Sequence, residues 1–136
     1  SDLSVIPTPP ELRNLPSEFD LDIKVNSYFV NTFIAGKGAL ADSESFTILT
    51  KNGKTEVVIG FSNVASNRIT IPVEVEEYKE IEPISFNATM FASILNANKE
   101  CLSASLKISK DGLSKINFNI DDYSSEYYLV ATQQVS

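Results

Sequence analysis

The chain contains no histidine and a single cysteine, Cys101. A lone thiol has no internal disulfide partner and no imidazole to activate it, and neither a His/Cys set at metal-ligand spacing nor a Gly-rich phosphate loop occurs anywhere. Catalysis has no foothold, so the sequence predicts a protein that is not an enzyme and needs no cofactor. Cys101 is expected to be a small core residue in a reducing compartment. Glycine is scarce too, with 5 residues against 43% apolar and 10% aromatic residues, which describes a globular chain rather than a disordered one. No apolar run approaches the roughly 20 residues that span a bilayer, and no signal-peptide pattern opens the chain, so a soluble, cytoplasmic protein without a membrane partner is expected. Ser1 stands where an initiator Met would, which suggests a processed chain or a piece of a longer one.

Net charge is -7 over 136 residues. Two segments carry it: residues 1–22 hold five carboxylates against Arg13, and residues 76–82 hold four Glu against Lys79. The remainder is neutral, so the mean charge does not exclude a nucleic-acid partner for any one face. The adjacent pair Asp121-Asp122 is read as solvated turn carboxylates rather than a metal site. Asn87-Ala88-Thr89 fits a glycosylation sequon, yet Asn directly before a helical pattern is better explained as an N-cap.

What is present is a duplication. "IKVNSYFVNTFI" (23–34) aligns with "ISFNATMFASIL" (84–95), pairing Ile23 with Ile84, Asn26 with Asn87, Val30 with Phe91 and Phe33 with Ile94. Further on, "TKNGKTEVVIGF" (50–61) matches "SKDGLSKINFNI" (109–120), and "NRITIPV" (67–73) matches "SEYYLVA" (125–131). The spacing predicts two repeats, about 19–75 and 82–131, joined by an acidic stretch over 74–83.

Each repeat has the same order. A short strand (19–25; 82–86) leads into an Asn-capped amphipathic helix (27–36; 88–98). Three alternating strands follow, over 45–50, 55–62 and 67–75, and then 103–109, 114–120 and 125–131. Asn52-Gly53 and Asp111-Gly112 mark hairpin turns, since these residues tolerate positive φ. Two helices with one apolar stripe each and two antiparallel sheets with one apolar face each are most economically packed with both helices on one side of the sheets, an α+β fold. The open sheet edges invite pairing with another subunit.

This doubled strand-helix-three-strand unit, closing on "KISKDGLSKINFNIDDYSSEYYLVA" (107–131), resembles one domain of the DNA sliding clamps, the polymerase processivity factors that include proliferating cell nuclear antigen and bacteriophage clamps. The likeness covers residues 19–131, and the Pro-rich start "VIPTPPELRNLP" (5–16) resembles the connector between clamp domains. Residues 1–18 are then an interdomain connector, and 19–136 the C-terminal domain of a two-domain subunit. The resemblance implies a homotrimeric ring whose helices line a hole around duplex DNA. It also implies a replicative DNA polymerase and a clamp loader as partners, in the host cytoplasm if the protein is viral.

By that resemblance the DNA-facing residues are Asn31, Lys37, Asn96 and Lys99, on helix faces that also show Ser27, Thr32 and Ala92. These faces are sparsely basic, a departure from the family pattern. Lys37 and Lys99 also fit plain helix-end chemistry, where cations favour the dipole. The resemblance further implies a groove for partner peptides, formed by Val5, Ile6 and Pro7 of the connector with Tyr128, Leu129, Val130 and Ala131 of the last strand. The competing explanation makes Leu129 and its neighbours ordinary core residues. The alternative to a clamp is a non-enzymatic β-rich structural or adhesion module of a virion or cell surface, which would not need two capped helices at equivalent places.

Overall fold

A computed structural model describes residues 19–60, 68–100, 103–120 and 123–132. The chain runs β1 (Leu21–Val25), α1 (Ser27–Ala39), β2 (Ser45–Lys51), β3 (Lys54–Ile59), β4 (Ile69–Val73), β5 (Val75–Glu77), β6 (Ile84–Asn87), α2 (Ala88–Ala97), β7 (Ala104–Ser109), β8 (Leu113–Ile120) and β9 (Tyr123–Val130). Two antiparallel sheets result, one ordered β5-β1-β7-β8-β9 and the other β4-β3-β2-β6. The expected α+β architecture is present.

The sheets are not one per repeat. β1 leaves its own repeat to pair with β7, Ile23 opposite Leu106, while β6 pairs with β2, Phe86 opposite Phe46. The order β1-β7-β8-β9 thus mirrors β6-β2-β3-β4, and each sheet is completed by a strand from the other half. The predicted strand over 67–75 is in fact two. β4 stays with β3, the chain breaks at Glu74, whose carbonyl accepts from Lys24 N at 2.9 Å, and β5 continues on the other sheet beside β1. The acidic joining stretch therefore contributes a strand of its own.

Both helices start where asparagine stops the preceding strand. Asn26 Oδ1 accepts from Phe29 N and Asn87 Oδ1 from Met90 N, each at 2.8 Å, satisfying a first-turn donor that has no intrahelical partner. The N-cap reading of Asn87 is therefore correct. The two hairpin turns differ. Lys51 pairs with Lys54 across Asn52 (φ 53°) and Gly53 (φ 81°), a two-residue loop with both central residues left-handed. Across the second, Ser109 pairs with Leu113, Gly112 N donates to Ser109 O at 3.0 Å, and among the three intervening residues only Gly112 (φ 106°) is left-handed. The extra residue makes this a turn with a bulge, so Asp111 never needs the positive φ its type tolerates.

Alternation sends Leu21, Ile23, Leu106, Ile108, Ile116 and Leu129 inward from one sheet and Phe46, Ile48, Val57, Ile59, Ile71 and Phe86 inward from the other, all buried. The helices close this core through phenylalanines. Phe33 of α1 meets Phe91 of α2 edge-on at 4.9 Å and Phe46 of β2 at 5.2 Å, and Phe91 stacks on Phe46 at 4.7 Å. Each ring pair adds about 0.5–1.5 kcal/mol beyond its buried area, enough to fix how the helices sit on the sheet.

Candidate functional site

Three surfaces follow from this architecture: the outward faces of the helices, the end of β9, and the free sheet edges. The helix surface is almost uncharged. Within α1 the sole ionisable cation or anion is Lys37, and α2 has none. Asn31 and Asn96 are exposed, as is Lys99 just past the end of α2. Lys37 Nζ donates to the Ala41 carbonyl at 3.1 Å, which ties that charge to the helix end in the way dipole chemistry favours. Ala92 is partly buried against the core, so it does not belong to the outward face. Sequence reasoning missed Tyr28, which is 69% exposed in the first turn of α1, one turn before Asn31 and Thr32. The signal available was its position opposite the buried Phe29, Val30 and Phe33.

At the end of β9, alternation separates the expected groove residues. Leu129 is 3% exposed and packs in the core, whereas Val130, at 54%, faces outward with Tyr128. Opposite Val130 on the same face lies Leu113, buried although it stands outside the core cluster. Ala131 lies beside Gly112 and donates to its carbonyl at 2.8 Å, and Thr132 N donates to Ser85 O at 2.9 Å, bringing the strand end against β6. An outward apolar spot formed by Leu113 and Val130 thus sits near where the two sheets meet, while Ala131, on the opposite face, packs against the core. Val5, Ile6 and Pro7, like Cys101 and Asp121-Asp122, lie outside the described residues.

The acidic stretch 74–83 is stapled over the hairpin ends. Thr50 Oγ1 accepts from Ile81 N at 2.8 Å and donates to Ile81 O at 3.0 Å; Gly53 N donates to Tyr78 Oη at 3.1 Å. On the other side Asp20 accepts from Lys110 N at 2.7 Å and lies 3.6 Å from Lys79 Nζ. The cleft between 79–84 and Lys110-Asp111 is lined by charges of both signs, which suits solvent and fixed hydrogen bonds rather than one ionic ligand. Among the described residues no group of three His, Cys, Asp or Glu is arranged to hold a metal ion, and no helix is long and apolar enough to cross a membrane.

No protein-family model matches the sequence, and no curated protein matches it. Solved structures do. The chain is similar to the DNA polymerase sliding clamp from Caulobacter crescentus (TM-score 0.65, 15% identity, 94% of this chain and 34% of that one). It is similar to the DNA polymerase III beta subunit from Thermotoga maritima (TM-score 0.66, 18% identity, 97% and 35%). It also matches the PCNA2-PCNA3 complex from Sulfolobus tokodaii (TM-score 0.63, 16% identity, 93% and 52%). The chain spans about a third of the length of the bacterial clamps it matches. At these identities the likeness is one of fold: the chain is folded as a sliding-clamp domain.

Proposed function

We propose that this chain is the C-terminal domain of a DNA sliding clamp, a non-enzymatic processivity factor that needs no cofactor. In this reading residues 1–18 connect it to a preceding domain, and three two-domain subunits close into a ring around duplex DNA. A clamp loader opens the ring and a replicative polymerase is tethered to it, in the cytoplasm of the cell or of a virus's host. The observation that carries the reading is the fold itself: two sheets completed by exchanged strands, with both helices on one side. A β-rich structural module would have no need of that helix layer.

The near-neutral helix face gives the proposal its character. Lys37, Lys99, Asn31 and Asn96, joined by Tyr28, would meet phosphates through a few weak contacts, so grip would come from encirclement more than from charge. Partner peptides would dock on the outward spot at Val130 and Tyr128, with Leu129 and Ala131 supporting it from beneath and Val5, Ile6 and Pro7 across it. An apolar anchor there would supply most of the binding energy.

The test is titration with the C-terminal peptide of the cognate replicative polymerase. Val130→Asp and Ile6→Asp are expected to weaken binding at least about tenfold, because an unpaired carboxylate would be desolvated against the anchor. Val130 is exposed, so melting should stay at the parent value, unlike that of Leu129→Asp. Parent-like binding by both variants would withdraw the groove.

A further inference from the structure

β4 and β9 are the outer strands at corresponding ends of the two sheets, opposite the ends at β6 and β5; as edges for a ring joint they are not equivalent, and the reason is one residue. β3 and β4 pair Thr55 with Val73, Glu56 with Pro72, Val57 with Ile71, Val58 with Thr70 and Ile59 with Ile69. Proline has no N–H, so Glu56 and Pro72 cannot be a hydrogen-bonded pair, and the ladder must run through 55/73, 57/71 and 59/69. The main-chain groups of Thr70 and Pro72 therefore point away from β3, to the open edge, where both residues are exposed. That edge offers one N–H and two carbonyls over this stretch.

β9 is the counterpart in the other sheet. The bond from Ala131 N to Gly112 O fixes Leu129, Tyr127 and Ser125 as the residues bonded to β8, so Ser124, Glu126, Tyr128 and Val130 direct N–H and C=O outward. Thr132, next in that series, already uses its outward N–H on Ser85. β9 has 8 residues and no proline, β4 has 5. Ladder partners identify the matching position: Pro72 lies opposite Glu56 and Tyr128 opposite Lys115, equivalent places in β3 and β8. Where β9 has a donor, β4 has none.

We propose that β4 is the weak half of a head-to-tail joint whose occupant is the β9-type edge of the next clamp domain, with Pro72 leaving one carbonyl of that incoming strand without a donor. The proposal rests on the clamp reading. Proline on an edge limits strand addition while keeping the strand in its own sheet, so the joint closes through a short ladder and opens there first. A joint between two different edges is heterologous, and a weak one suits a ring that must open.

Sedimentation equilibrium of the chain and its variants tests this. Pro72→Val, with Pro72→Thr as a second version, restores the outward N–H and is expected to tighten self-association about five- to tenfold, or to bring it into the measurable range. Adding Tyr128→Pro, which removes the outward donor at the matching place on β9, should abolish that gain. Circular dichroism checks that each variant is folded. The proposal is overturned if neither Pro72 variant associates more tightly than the parent, or if the gain survives Tyr128→Pro, which would mean β4 pairs with itself. If Tyr128→Pro alone weakens the parent while the Pro72 variants change nothing, the edges join and only the role of Pro72 is refuted. Association indifferent to every variant would overturn joining through these two edges.

Discussion

Asp22 lies on the outward face of β1 between β5 and β7, and its Oδ1 is buried without a hydrogen-bond partner among the described residues. Burial pushes its carboxyl above the ordinary value of 3.8; Lys107 across the ladder pulls it back, while Glu77 and Glu76 add to the push. The native state therefore bears a cost for holding Asp22 ionised at neutral pH. That cost disappears as the pH falls through the raised native value, because the folded protein then takes up the proton before the unfolded chain does. Asp22→Asn should raise the melting temperature by roughly 1–4 °C near pH 7, a modest gain because the site is partly solvated. Melts repeated toward about pH 4 should show the gap to the parent closing. A gap that stays constant with pH would assign the effect to something other than the charge.

At the scale of elements, the stretch between the repeats behaves as a clasp. Thr50 serves Ile81 with both donor and acceptor from one hydroxyl, and Tyr78 reaches the backbone of the tight turn at Gly53. Thr50→Val keeps the shape and β propensity but leaves the Ile81 N–H and C=O unpaired in a partly buried place. It is expected to cost about 1–3 kcal/mol in urea unfolding. Tyr78→Phe, which frees only the exposed Gly53 N–H, should cost less than 1 kcal/mol, about the net worth of one solvated bond. Equal losses in the two variants would mean the hydroxyl of Thr50 is not what holds the stretch.

The whole molecule cannot be divided at its own repeat boundary. Because β1 completes the sheet of β7–β9 and β6 completes that of β2–β4, residues 19–77 alone would leave β1 without β7 and the Phe33–Phe46 pair without Phe91. Fragments 19–77 and 78–132 are each expected to show no cooperative unfolding by circular dichroism and to regain it on mixing. A fragment that melts cooperatively by itself would show that the exchanged strands are dispensable. The same interlocking leaves β4, β5, β6 and β9 as the outer strands of the two sheets.

The helices, their asparagine caps, the hairpin turns and the inward-facing rows were legible in the sequence, because caps, turns and alternation are local and repeat at fixed spacing. So was the clamp-domain fold, through the duplication. Tertiary structure alone decided which strand completes which sheet: Ile23 and Ile84 have the same local pattern whichever partner they take, and the choice is made by long-range pairing. It also decided the break at Glu74 and the register of the last strand. Sequence matching aligns Ile69 with Tyr127, whereas the ladders make Ile71 the equivalent of Tyr127, since Val57 and Ile116 are their partners. A slip of two preserves every inward and outward face, so hydrophobic alternation could not detect it. That slip is what sets Pro72 opposite Glu56 as Tyr128 stands opposite Lys115, and only hydrogen-bond geometry could reveal that the two edges differ.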